Sequence, residues 1–282
     1  MCLSNMILFR LLLITFLLNV VPLFSQKDTI QFNSKKQNKI YLLWGYTRAW
    51  YTKSNIHFQN KGTYVSKLNG NSYTYDFTAY QAVAKDRPDF DQLYDVINIT
   101  IPQFVGRLGY KLNDKWDIEM NYDHTKYVVT DFQKLRVKGQ INNQWFDTDT
   151  ILSPTNLFHF EHTDGANFWM INAVRKFKLF QKNPKFKLEA VVKPGGGIVI
   201  PRTDVTLFGE RLNNDWKVAG YIFGVESGIR INFLKYGLFE LTTKGSYANY
   251  VNAFVLGKGN GKVNHHFFAG QVTATFGVLL GK

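Results

Sequence analysis

The residues best suited to chemistry lie in one short segment, Glu161-His162-Thr163-Asp164-Gly165-Ala166-Asn167. Successive side chains of an extended chain point to opposite faces, so His162 and Asp164 would share one face. An imidazole oriented by a carboxylate can act as a general base, and a nearby amide can stabilise an oxyanion. A structural interpretation also fits, because Asp-Gly is a common turn sequence. His162 and Asp164 are therefore the candidate catalytic residues, and both interpretations stay open.

The elements that must position this segment are long strands with regular alternation. Residues 217–251 predict two such strands joined by one tight turn. One face of each strand is largely apolar, and the other is rich in glycine and polar residues. Both exceed the roughly 9 to 11 residues that a tilted strand needs to cross a bilayer. Comparable alternation predicts eight strands, at 41–51, 99–110, 115–129, 167–179, 185–200, 217–233, 236–251 and 265–280.

The connections between these strands fall into two length classes that alternate strictly. Short turns at 111–114, 180–184 and 234–235 alternate with long connections at 130–166, 201–216 and 252–264. Outer-membrane barrels alternate short periplasmic turns with long outer loops in this way. The same parity assigns 52–98 to the outer side, where 73–85 forms a protruding hairpin or a further spanning strand. The chain is therefore predicted to be all-β, with an antiparallel up-and-down transmembrane β-barrel of eight strands in 41–282 and ten to twelve strands as the alternative.

Alternation alone does not separate such a barrel from a soluble sandwich, because the two differ only in which face is buried. Strand length, small polar residues on one face and aromatic residues near strand ends favour the barrel. Examples are Trp44, Trp116, Trp216 and Tyr236, which fit two interfacial girdles. Aromatic core packing is the alternative explanation for any single one of them.

The N-terminus has the composition of a secretory signal peptide. Arg10 precedes an apolar run at 11–21, and Ser25-Gln26 supplies a small and polar exit. We expect residues 1–26 to be this signal peptide, 27–40 to be a periplasmic segment, and the chain to reach the outer membrane of a Gram-negative cell. The sole cysteine, Cys2, lies in the leader, so no disulfide is expected in the exported chain.

Charge and motif content narrow the partners. The chain has 34 Lys and Arg against 21 Asp and Glu, a formal net charge of +13. For an exported protein this excess favours outer-membrane lipid or lipopolysaccharide over nucleic acid, and no P-loop or nucleic-acid module is recognisable. We expect a membrane-embedded monomer without a cofactor.

The polar strand faces carry charges that would meet inside a narrow lumen. The four residues assigned to it are Glu226, Arg230, Glu240 and Lys244, which alternation places on adjacent strands. Further inward-facing charges are Arg107, Asp117, Glu119, Asp123, Glu189 and Lys193. An eight-stranded lumen usually holds side chains, so ion pairs that close it are the favoured interpretation, with a gated pore as the alternative.

A second set of polar residues is predicted at the outer rim, where it could bind a ligand. Its members are Arg48, His57, Asp86, Arg87, Glu161 and Asn167. No pair of histidines or carboxylates has the short fixed spacing of a zinc or EF-hand motif, so no metal site is predicted.

Four blocks resemble those of a family of small Gram-negative outer-membrane barrels. They are Trp44-Gly45-Tyr46-Thr47-Arg48, Ser54-Asn55-Ile56-His57-Phe58, Lys85-Asp86-Arg87-Pro88 and the 161–167 segment. This resemblance implies a fold and a location but no activity. More distantly, residues 162–167 are similar to the His-x-Ser-Asn segment of eight-stranded lipid A deacylases, which implies a base role for His162. In those barrels a His and a Ser on one strand face attack the ester of a lipid that lies against the outer wall.

The departure from that pattern weakens the enzyme hypothesis. Asp164 occupies the serine position, and the hydroxyl of Thr163 points to the opposite face of a regular strand. Hydrolysis would need a nucleophile from elsewhere, such as Ser54 or Ser153. The expected function is non-enzymatic binding at the cell envelope or surface. A lipid hydrolase or acyltransferase that uses His162, and a small passive pore, remain the alternatives.

Overall fold

The computed structural model describes residues 39–87, 103–162, 164–183, 185–255 and 261–280, and the regular secondary structure of these ranges is β throughout. No helix in these ranges is long and apolar enough to cross a membrane. The predicted signal peptide, 1–26, and nearly all of the predicted periplasmic segment lie outside the described residues. The strands are β1 (Ile40–Tyr51), β2 (Ser54–Asn60), β3 (Tyr64–Val65), β4 (Ser72–Tyr73), β5 (Tyr75–Ala82), β6 (Ala84–Lys85), β7 (Phe104–Lys111), β8 (Trp116–Asp123), β9 (Tyr127–Val129), β10 (Lys134–Ile141), β11 (Gln144–Ile151), β12 (Phe158–His162), β13 (Phe168–Asn183), β14 (Phe186–Val199), β15 (Thr203–Leu207), β16 (Glu210–Asn213), β17 (Gly220–Phe233), β18 (Gly237–Phe254) and β19 (Gly261–Leu280).

Eight of these strands form a closed antiparallel ring. The order is β1-β7-β8-β13-β14-β17-β18-β19, and β19 pairs with β1 from Ile40↔Leu280 to Tyr51↔Ala269. The predicted all-β antiparallel barrel is therefore confirmed. Each of the eight predicted strands overlaps one strand of the ring, although residues 99–102 lie outside the described ranges. Residues 73–85 contribute to β4, β5 and β6, which lie outside the ring.

The two faces of the ring have opposite polarity. Outward side chains are apolar and exposed, as in Trp44 at 66% and Phe276 at 65%. Inward side chains are charged and buried, as in Arg230 at 1% and Lys193 at 0%. A soluble sandwich would bury the apolar face and expose the charges. The inverse arrangement suits a barrel whose outer wall contacts lipid, because apolar groups then need no contact with water.

The two ends of the ring differ in what connects the strands. At one end, called the turn end here, the connections at 112–115, 184–185 and 234–236 are short. At the other end the described parts of the long connections form further strands. There β2, β5, β10 and β11 extend the ring sheet from β19, and a second sheet has the order β16-β15-β12-β9-β6. These nine strands are called the cap.

A core dominated by aromatic and aliphatic side chains joins the cap to the ring. It includes Phe58, Phe77, Phe158 and Phe160 from cap strands and Phe267 from β19, all of them buried. The rings of Phe58 and Phe158 lie 4.6 Å apart, and those of Phe58 and Phe160 lie 5.6 Å apart. Burial of such rings is the main source of stability for strands as short as these.

Candidate functional site

Ten charged side chains fill the lumen of the ring and are joined through ion pairs. This lumen network contains five bases and five acids, and none of the ten is more than 6% exposed. Its bases are Arg107, Lys176, Lys193, Arg230 and Lys244, and its acids are Asp117, Glu119, Asp123, Glu226 and Glu240. Because the two signs are equal in number, the network carries no formal net charge.

Lys193 of β14 lies at the centre of three carboxylates. Its Nζ is 2.6 Å from Glu240 Oε2, 3.1 Å from Glu119 Oε1 and 3.3 Å from Glu226 Oε1. The carboxylates come from β18, β8 and β17, so one ammonium group ties four strands together across the lumen. A buried charge is tolerated where opposite charges and hydrogen bonds satisfy it, as they do here.

Arg230 of β17 forms the second centre. It pairs with Glu240, and its Nη1 donates to Asp117 Oδ2 at 2.8 Å. Its Nη2 donates to the Tyr41 hydroxyl at 3.0 Å, and the guanidinium lies over the Tyr41 ring at 4.5 Å. The planar, five-donor group of arginine suits such simultaneous contacts with β1, β8 and β18.

The structure places all four sequence-assigned lumen residues inside the ring. Two pairs of opposite charge face each other across β17 and β18, but only one of these pairs forms an ion pair. Arg230 and Glu240 face each other in register and form an ion pair. Glu226 and Lys244 also face each other in register, yet Lys244 pairs with Asp123 of β8. Glu226 instead accepts from Thr242 at 2.9 Å and lies 3.4 Å from Arg107 Nη2. For Lys244 the contact across the narrow lumen therefore outweighs the contact with the adjacent strand, whereas Glu226 keeps a hydrogen bond to β18 through Thr242.

Sequence reasoning missed two members of this interior. Lys176 of β13 pairs with Asp117, and Tyr41 of β1 donates to Glu119 Oε2 at 2.8 Å. Both lie at inward positions of strands whose limits were predicted. Extending the alternation to every strand would have found them.

The proposed catalytic pair is not assembled. Strand β12 ends at His162, and Asp164 lies in a turn, so the expectation that both side chains share one strand face is wrong. Asp164 pairs with Arg202, whereas His162 Nε2 lies 3.0 Å from His265 Nε2. The His162 ring stacks on Tyr250 at 4.6 Å and is 0% exposed. Burial lowers the pKa of His162 to about 3, so the imidazole is neutral inside an aromatic core.

Four of the rim residues form two neighbouring ion pairs. Arg48 Nη1 lies 3.9 Å from Asp86, and Arg87 Nη2 donates to Glu161 Oε2 at 2.7 Å. Asp86 also accepts from the Ala49 backbone N–H at 2.7 Å. Burial raises the pKa of Asp86 to about 6 despite these contacts. The arrangement fastens the end of β1 to the cap.

The other two rim residues lie elsewhere. His57 pairs with Asp76 at 2.7 Å and borders a polar recess of about 310 Å³ that Asn249 and His266 also line. The amide of Asn167 donates to three backbone carbonyls, those of Asp164, Gly165 and Ile200. Its Oδ1 accepts from Tyr122 and His124, so this side chain is engaged in holding the turn. Within the described ranges, no three His, Cys, Asp or Glu side chains lie together as a metal site would require.

Comparisons with known proteins find structural likeness at low sequence identity. No protein-family model matches the chain, and no curated protein matches its sequence. Neisserial surface protein A is 13% identical over 86% of this chain and 97% of its own, with a TM-score of 0.32. The outer membrane protein OprG from Pseudomonas aeruginosa is 11% identical over 86% and 96%, with a TM-score of 0.34. Ail, the attachment invasion locus protein of Yersinia pestis, is 11% identical over 84% and 99%, with a TM-score of 0.27.

Proposed function

We propose that this chain is an outer-membrane β-barrel protein that acts by binding at the cell surface and neither conducts solutes nor performs catalysis. The observation that carries the proposal is the lumen network, in which ten charged side chains satisfy one another inside a ring of eight strands. A conducting pore needs a continuous water-filled path. Side chains that pair with one another and are almost fully buried occupy the volume that such a path would need.

The membrane location is supported by the polarity of the ring. A closed ring leaves no unpaired strand edge in the hydrocarbon, and its outer wall is apolar. Aromatic residues near the ends, such as Trp116 and Tyr236 at the turn end and Trp169 and Tyr221 at the cap end, suit the two interfaces. The alternation of short and long connections orients the cap to the cell surface and the turn end to the periplasm.

The binding role is assigned to the cap, because the cap carries large exposed side chains on strands and turns. Phe132 is 76% exposed and Trp145 is 66% exposed. Trp145 lies on β11, next to the ion-paired charges of Arg136 and Asp147, and Lys138 Nζ lies 5.7 Å from its ring centroid. Exposed aromatic residues bordered by charges are typical of protein and glycan interfaces.

The lipid-hydrolase alternative receives no support from the contacts of His162. Its partners within the described residues are His265 and Thr203, and neither Ser54 nor Ser153 hydrogen-bonds to it. Thr203 is 1% exposed and His162 is 0% exposed, so among the described residues this base and its hydroxyl partner are both closed off from a lipid ester. His162 is proposed to be a structural residue of the cap core.

Two measurements test the proposal. Intact cells that produce the protein are treated with protease, and cleavage is mapped at the exposed β10–β11 turn, Asn142-Asn143. Cleavage there in intact cells, together with heat-dependent gel mobility, is expected. Cleavage only after the cells are opened would reverse the orientation and contradict the surface role.

The second measurement follows lipid A acylation by mass spectrometry in cells with the wild-type gene, the deletion and His162→Ala. The acyl pattern is expected to be the same in all three strains. Loss of an acyl group that depends on the protein and on His162 would replace the binding role with an enzymatic one.

A further inference from the structure

We propose that a recess in the outer wall of the ring holds one acyl chain of an outer-leaflet glycolipid of the lipid A type. This inference rests on the proposed outer-membrane location and orientation. The recess has a volume of about 540 Å³ and lies on the face formed by β19, β1, β7, β8 and β13.

The recess exists because one position in an aromatic row lacks a side chain. Across the outer wall, Phe276 pairs with Trp44, Trp44 with Gly106, and Gly106 with Tyr122. Tyr122 then pairs with Trp169, and their ring centroids lie 4.5 Å apart. Four large rings therefore flank a gap of one residue. Nothing lies within 4 Å of the position that a Cβ at Gly106 would take.

A missing side chain in the middle of a strand often marks a place where a ligand approaches the backbone. Within a bilayer the apolar wall gains no hydrophobic driving force, because lipid tails are as apolar as the side chains. Selective retention must come from dispersion contacts, and these are most numerous where a chain lies between fixed aromatic walls. The Gly106 gap, bounded by Trp44 and Tyr122, supplies such walls.

The position of the recess indicates which leaflet supplies the chain. Tyr122 and Trp169 lie one residue from the cap ends of β8 and β13, whereas Trp44 and Phe276 lie four residues from the turn ends of β1 and β19. The recess therefore runs from the cap end of β8 and β13 toward the turn end of β1 and β19. Polar groups lie at its cap-end edge, because the Tyr122 hydroxyl donates to Asn167 Oδ1 at 2.8 Å and His124 Nδ1 lies 2.9 Å from the same oxygen. Hydroxyl and imidazole groups suit the sugar and phosphate groups of a glycolipid head. With the cap at the cell surface, the occupant belongs to the outer leaflet.

Gly106→Leu tests the inference, since its side chain would fill open space and leave the ring intact. The matched control is Gly245→Leu, because Gly245 also lies in a ring strand, at an exposed position with nothing within 4 Å of its Cβ position, and does not line the recess. The measurement is native mass spectrometry of the refolded, full-length mature protein titrated with lipid A or with phosphatidylethanolamine. Trp44→Ala, which removes one wall, is a second variant.

One retained lipid A is expected on the wild type and on Gly245→Leu. Gly106→Leu should need roughly tenfold more lipid A for the same occupancy, because on the order of ten carbon contacts are lost. Trp44→Ala should weaken retention in the same direction. Equal retention by the wild type and Gly106→Leu would overturn the site, and equal, Gly106-dependent retention of phosphatidylethanolamine would overturn its assignment to a glycolipid. Heat-dependent gel mobility of each sample tests the barrel separately, so failure of the proposed function is distinguishable from failure of the recess.

Discussion

Replacing Lys193 with methionine tests the lumen network at its centre. The change keeps the length of the side chain and removes the one ammonium group within 3.3 Å of Glu119, Glu226 and Glu240. The three buried carboxylates then lose the one positive charge that they share, although Glu240 still pairs with Arg230 and Glu226 lies 3.4 Å from Arg107 Nη2. Breaking a buried ion pair by removing one partner costs about 3 to 5 kcal/mol, mainly because a desolvated charge is left uncompensated. We expect a loss of free energy of unfolding in that range.

The assay is equilibrium urea unfolding of the protein refolded into lipid vesicles, followed by tryptophan fluorescence and by gel mobility. Lys193→Met combined with Glu226→Gln restores equal numbers of positive and negative charges, and we expect it to recover more than half of the loss. Lys235→Met, in the exposed turn between β17 and β18, is the control and should leave the midpoint unchanged. If Lys193→Met unfolds within about 0.5 kcal/mol of the wild type, the size of a neutral surface change, the network does not stabilise the ring.

The remaining predictions concern the cap. His162 has a folded-state pKa of about 3, below its unfolded value of roughly 6.5, so the unfolded chain binds the additional proton and stability falls as pH drops from about 6.5 toward 3. His162→Phe should flatten this part of the stability curve measured by cap proteolysis between pH 7 and 4, and an unchanged slope would contradict the assignment. Asn167 holds three carbonyls at a positive φ of 43°, so Asn167→Ala should destabilise the cap by about 2 to 4 kcal/mol. If amide hydrogen exchange around residues 165 and 200 is the same in Asn167→Ala and in the wild type, the hydrogen bonds of Asn167 do not stabilise the cap.

The ring was predictable because its strands are long and their alternation is regular. In β17, Glu226 and Arg230 point inward while Tyr221 and Phe223 point outward, and this period extends over the whole strand. The direction of the alternation remained ambiguous in the sequence. Within the closed ring, the buried charges and the exposed aromatic side chains show that the charged face is the inner one.

The cap was not predictable in the same way. Its strands are short, and β12 is buried at four of its five positions, so it has no alternating pattern. The partner of His162 is His265, 103 residues away, and no local spacing indicates that contact. The prediction of a catalytic pair used the proximity of His162 and Asp164 in sequence, whereas β12 ends at His162 and Asp164 lies in a turn. Likewise, alternation placed Lys244 on the strand next to that of Glu226, but in the folded barrel Lys244 pairs with Asp123 of β8 across the narrow lumen.

Single-channel recording in planar lipid bilayers tests the central claim most directly, since the claim is that paired charges close the lumen. The refolded wild-type protein, shown by heat-dependent gel mobility to be folded in the same preparation, is inserted at neutral pH beside a conducting porin as the positive control. The closed lumen predicts insertion without discrete conductance steps. Reproducible unitary steps from the wild-type barrel would contradict it and establish a pore.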